Sequence, residues 1–281
     1  MNSLKQEATT IVCGSLGSVP DLRNYVATST ITDFPKEFKL TMPTVKNQES
    51  VGSCVAHAMA TVAEYFNKKE VGKSIKLSTG YIYGNRLLTL HKGYGMFIND
   101  TLKTMNRFGD VSFEEFPENV EVPYGIELFD QRYSKLETAG ANHKFKSYFR
   151  LKDTDAIKAN LMSVGPVIMS MYWFDDIKII DGVMVTDERK TLKTGMHCMV
   201  IYGWNETGWL VQNSWGRTWG NKGRFELPYN VRVNEFWGVT DEKSDPALVI
   251  EKPFSSKIGA YFAKTLHKFL SIIYNMMRRT N

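Results

Sequence analysis

The sequence predicts an α+β fold, with helices gathered in its first half and antiparallel strands in its second. Two patterns carry that prediction. Cys54, Val55, Ala58, Met59, Val62 and Phe66 recur at helical spacing. After Gly165-Pro166 the segments PVIMSMYW, GMHCMVIYGW, GWLVQNSW and GRFELPY are rich in β-branched and aromatic residues and bounded by glycine turns. The length of 281 residues, 43% of them hydrophobic, suits one large domain or two lobes sharing an interface.

Taken in order, residues 1–33 are polar and punctuated by Gly, Ser, Pro and Asp, which reads as a leader draped over the body. The first 18 residues have no basic stretch followed by an apolar core, so no signal peptide is expected. A buried helix is predicted over about 54–67, with Ser53 as its N-cap. Shorter helices follow at 77–90 and 97–109, the second stopped by Gly109. Another spans 155–164 and is closed by Gly165-Pro166, after which the strand segments begin. Helical spacing returns over 257–277, where Ile258, Phe262, Leu266, Phe269, Leu270 and Ile273 share a face. Lys264, His267 and Lys268 interrupt that run, so it is not a clean membrane span. The division is a leader at 1–33, a main domain at 34–245 and a basic C-terminal helix within 246–281.

Charge separates the last of these from the rest. Residues 251–281 carry the whole net charge of +5, while the other 250 residues balance at zero. No nucleic-acid surface is therefore expected on the main domain; the basic tail suits docking on its own domain, a membrane surface or a protein partner. The three cysteines, Cys13, Cys54 and Cys198, form no CxxC pair, which argues against a disulfide framework or a zinc site. A reducing, intracellular compartment fits that usage, with membrane association through the tail helix as the added expectation.

Cys54 stands where the first long helix begins. A thiol is a nucleophile as thiolate, and a helix start or a nearby imidazolium lowers its pKa. Of five histidines, His57 lies one turn away on an Ala/Met-rich helix and reads as a satisfied core residue. His197 lies on a predicted buried strand, sixteen residues before Asn213, whose amide could orient an imidazole. Gln48, six residues before Cys54, could stabilise an oxyanion together with the Cys54 N–H.

Gln48, then Gly52-Ser53-Cys54, then His197, then Asn213-Ser214-Trp215-Gly216 with Trp219-Gly220 and Gly223, resemble the papain-like cysteine proteases. His197 and Asn213 follow Cys54 by 143 and 159 residues, the second interval slightly longer than that family's habit. The likeness covers about residues 34–240 and implies a two-lobe fold. A helical N-terminal lobe and an antiparallel, barrel-like β lobe would flank the active-site cleft. It implies a cysteine endopeptidase in which Cys54 attacks the carbonyl, His197 moves the proton, Asn213 orients His197, Gln48 holds the oxyanion and Trp215 covers the Asn–His contact. The thioester acyl-enzyme is hydrolysed by water, with no metal or organic cofactor, and the partner is a protein or peptide substrate. Alternatives are an exopeptidase, transamidase or amidase on the same triad, or a silent binding protein of this fold.

The chain departs from relatives in having Val51 and Val55 where a disulfide cysteine and an aromatic are common. Its leader is also too short for a separately folded pro-domain of the usual size. By the same resemblance Gly95 borders the substrate backbone, and Met96, Ser170, Met196 and Cys198 line the pocket for the second residue before the scissile bond. Two methionines there suggest an adaptable, apolar pocket.

Overall fold

The computed structural model describes residues 13–18, 21–88, 94–117, 140, 143–187, 192–241 and 248–251. The predicted helix over 257–277, His91 and His267 lie outside them.

Helices α1 (Cys54–Val71), α2 (Thr79–Gly84) and α3 (Ile98–Arg107) come first, with a 3₁₀ turn at Asn85–Leu88. Strands β1 (Tyr25–Ser29) and β2 (Phe38–Lys39) precede them. Then follow β3 (Ser147–Leu151), α4 (Thr154–Ser163), β4 (Val167–Phe174), β5 (Lys178–Ile180), β6 (Val183–Val185), β7 (Lys193–Trp204), β8 (Gly208–Gln212), β9 (Arg224–Pro228), β10 (Glu235–Thr240) and β11 (Leu248–Glu251). The strand order is β11-β1-β3-β10-β4-β7-β8-β9-β6-β5, with β2 on β7. Pairing is mostly antiparallel; β1 with β3 and β6 with β9 are parallel.

The centre of this sheet explains the unbroken apolar run in β4. Ile168 faces one core with Val200, Trp237 and α1, while Val167, Met169 and Met171 face the other with α4, Trp204 and Val211. A strand covered on both faces has no side to give to polar residues. Helix α1 is likewise buried on most sides, and alanines at 56, 58, 60 and 63 let it lie close to its neighbours. Val51 and Val55 pack into the same core.

Two strands lie where the sequence suggested other roles. Tyr25–Ser29, within the expected leader, and Leu248–Glu251, at the edge of the expected tail, pair with each other, and β1 also pairs with β3. These contacts span more than 120 residues of chain, so no local pattern announces them. The Ser53 prediction is also corrected in part. Ser53 occupies the N-cap position of α1, but its side chain makes no cap bond and its Oγ lies 3.2 Å from His57 Nδ1. By contrast, Asp153 caps α4 through Ala156 N at 2.7 Å.

Candidate active site

Cys54 is the first residue of α1 and has no solvent exposure. Burial pushes its thiol up to about 11, while the nearby N–H groups of Cys198, Gly14, Val55 and Cys54 itself pull it down. Because Ser53 does not spend its hydroxyl on the first turn, the N–H groups at the start of α1 remain available to a sulfur or an oxyanion.

His197 comes from β7 and Asn213 from the turn after β8. His197 Nε2 and Asn213 Oδ1 are 2.7 Å apart. The same Oδ1 accepts from the Ser214 N–H at 2.7 Å, which identifies it as the amide oxygen. His197 must therefore donate from Nε2, and the neutral ring keeps its lone pair on Nδ1. That nitrogen is buried without a hydrogen-bond partner among the described residues. Burial lowers the His197 pKa to about 4, against a raising contribution from Asn213. Burial thus disfavours the charged form of both thiol and imidazole in this closed arrangement.

Aromatic rings hold the imidazole. Trp215 stacks on it at 4.4 Å between centroids and 21° between planes. Trp173 meets it edge-on at 5.6 Å, and Trp219 stands edge-on to Trp215 at 5.0 Å. The role of Trp173 was not foreseen; its signal was the aromatic end of PVIMSMYW, which reads equally well as core.

Gln48 is buried and ties the two halves of the site together. Its N–H donates to Ser214 O at 2.8 Å and its Oε1 accepts from Ser214 Oγ at 2.6 Å. Its Nε2 donates to Val51 O at 2.8 Å. Ser214, which the motif contains without a role of its own, is therefore the link between Gln48 and Asn213. His57 is a satisfied core residue: its Nδ1 lies 2.9 Å from Ser53 O, and burial lowers its pKa to about 4.

A strand of the chain itself fills the cleft. Met96 N donates to Gly14 O at 2.8 Å, Leu16 N to Met96 O at 3.0 Å, and Ser15 N to Met196 O at 3.0 Å. Residues 14–16 are thereby pinned between the Met96 and Met196 backbones. A Cβ on Gly14 would collide with the carbonyl oxygen of Gly52, and one on Gly95, already at φ 84°, would lie 2.7 Å from Gly14 O. The contact is thus closed to any larger residue at either place. Of the expected pocket residues, Gly95, Met96, Met196 and Ser170 border this strand, Ser170 through a 2.8 Å bond between its Oγ and that of Ser15. Cys198 is buried beside Ser170 in the sheet. Trp215 covers His197 rather than the strand.

A thiol at a helix start, an imidazole with one nitrogen tied to an amide and the other open, and a buried glutamine amide define an acyl-transfer hydrolase of the thiol type. Residues 31–246 match the family model described as papain family cysteine protease, and the chain belongs to that family. It is 26% identical over 221 residues to an uncharacterized peptidase C1-like protein of Acanthamoeba polyphaga mimivirus, covering 72% of this chain and 71% of that one. It is 24% identical to cathepsin K of Mus musculus over 240 residues, spanning 83% of this chain but 66% of the cathepsin. Among solved structures, xylellain, a cysteine protease from Xylella fastidiosa, superposes with a TM-score of 0.72 at 22% identity. That match covers 82% of this chain and 96% of xylellain, and it supports the two-lobe fold.

Proposed function

We propose that the protein is a cysteine endopeptidase working through Cys54, His197 and Asn213, and that the arrangement described is its latent form. The observation carrying the catalytic assignment is the His197–Asn213 bond, which leaves the basic lone pair on the buried Nδ1 of a strand residue. Once the leader withdraws, water reaches the pair and the burial that disfavours both charged forms is relieved. Cys54 then passes its proton to His197 Nδ1, and the thiolate attacks the scissile carbonyl. The developing oxyanion is held by the Cys54 N–H and the Gln48 amide. His197 returns the proton to the leaving amine, and water hydrolyses the thioester with His197 as base.

The cleft supports the endo mode, because residues 13–18 pass through it as part of a chain that continues in both directions. The leader acts as an occluding strand because Gly14 turns its N–H towards the sulfur and its carbonyl towards Met96 N. A sulfur facing a donor has no electrophile to attack.

An epoxide thiol trap tests both parts. Cys54 of the full chain is expected to label slowly, and Cys54 of a Gly14→Ala variant quickly, with Cys54→Ala as the blank. Internal cleavage of a peptide library by Gly14→Ala would support the endo mode. Release of terminal residues alone, or of ammonia from amides, would replace it. A Cys54 that stays unlabelled in the opened variant would remove the enzyme reading.

A further inference from the structure

We infer that the cleft position occupied by Ser15 is a specificity pocket for a small hydroxyl side chain, serine or threonine, rather than the apolar pocket its methionines suggest. The inference rests on the peptidase reading and names the substrate feature which that site selects.

Ser15 Oγ lies 2.8 Å from Ser170 Oγ, and both residues are buried, Ser15 at 5% and Ser170 at 0% exposure. In the sheet, Ser170 is flanked by Glu235 on β10 and Cys198 on β7. Cross-strand partners point to the same face, so these three side chains form one row beneath the strand in the cleft. Glu235 is itself 4% exposed. Its Oε2 accepts from Arg150 Nη1 at 2.7 Å and from Trp237 Nε1 at 2.8 Å, while Oε1 is buried without a partner among the described residues. A cavity of about 310 Å³ continues the site past Leu16 along Arg150, Tyr172, Asn234 and Glu235.

Any extended chain bonded to the Met96 and Met196 backbones as the leader is places a side chain where Ser15 sits. An aliphatic or aromatic group there would leave a fully buried Ser170 hydroxyl unpaired, and a site built around a polar group rejects a partner that lacks one. A basic group is disfavoured for another reason. The charge of Glu235 is already matched by Arg150, so a second cation would face that guanidinium. A hydroxyl pairs with Ser170 and brings no charge.

Two measurements test the pocket. The first needs no turnover: in the full chain, Ser15→Thr should keep the cleft closed to the epoxide trap. Ser15→Leu should raise the labelling rate of Cys54 by roughly tenfold. Equal or slower labelling of the leucine variant would overturn the pocket. The second is a peptide library varied at the position that falls over Ser170. Ratios of kcat/KM between library members do not depend on how much enzyme is held closed. Serine and threonine are expected to exceed leucine and phenylalanine by roughly tenfold, and Ser170→Ala should shrink that ratio to about twofold. A preference for leucine, phenylalanine, lysine or arginine would overturn the assignment. If the Gly14→Ala variant cleaves no peptide but the labelling order holds, the pocket stands and the peptidase reading falls.

Discussion

Two histidines are buried, one on the helix that begins at Cys54 and one on β7, and burial lowers both to a pKa of about 4. Their roles differ because of which nitrogen is left open. His57, on α1, lies with Nδ1 against the Ser53 carbonyl of its own helix start. His197, on β7, has Nε2 tied to Asn213 and Nδ1 open, with Trp215 and Trp173 fixing the ring plane. Closeness in sequence alone would favour the claim of His57 to Cys54, although its Ala/Met-rich helix already reads as core. A bond to its own backbone removes that claim, whereas a bond to another element creates the one His197 holds.

The comparison breaks most sharply by substitution. His197→Ala is expected to lower kcat/KM on a peptide substrate by at least about 10³-fold, in line with losses seen when one member of such a unit is removed. His57→Gln should leave kcat/KM within a few-fold and instead lower the urea midpoint. If the two substitutions cost activity equally, the contrast is wrong. Asn213→Ala comes next. It frees the His197 ring and its tautomer and should cost at least roughly 10-fold in kcat/KM, the lower end of the scale for groups that orient a metal-bound histidine. A loss confined to stability, with the pH profile unmoved, would count against that role. Gly14→Ala acts the other way and should speed Cys54 labelling by about tenfold, because a β-carbon there meets the Gly52 carbonyl.

The last effect is on stability and concerns pH. Both histidines have folded pKa values below the ordinary 6.5, so the unfolded chain takes up protons first as the pH falls. Their stabilisation is complete above about 6.5 and is lost on descending towards about 4, by up to about 3 kcal/mol for each. Lys46 lies near His57 and favours the same direction. Asp110 opposes the trend: burial raises its pKa, so its contribution is greatest in acid and fades as the pH rises. Urea unfolding at pH 7 and pH 5 should show the wild type losing more stability than His57→Gln. An equal loss would mean that His57 is not buried as described.

Much of this was legible beforehand for a physical reason. Helix α1 and the strands around His197 announce themselves through local periodicity, and Gln48, Cys54, His197 and Asn213 occupy motifs whose order is specific. The helices predicted at 97–109 and 155–164 appear as Ile98–Arg107 and Thr154–Ser163. The pairing of β1 with β3 and β11 was not legible, because short segments such as YVATS and LVIE carry little pattern and meet across most of the chain.

Residue types and their order were enough to name the family and to propose a nucleophile, a base and its orienting amide, since that chemistry needs those groups and few others can supply it. Only the folded chain decided which nitrogen of His197 is free, that Ser214 joins Gln48 to Asn213, and that Gly14 and Ser15 lie in the cleft. Each of these depends on a hydrogen bond between residues far apart in sequence. Such bonds are set by where packed elements bring two groups within about 3 Å, which no local pattern encodes.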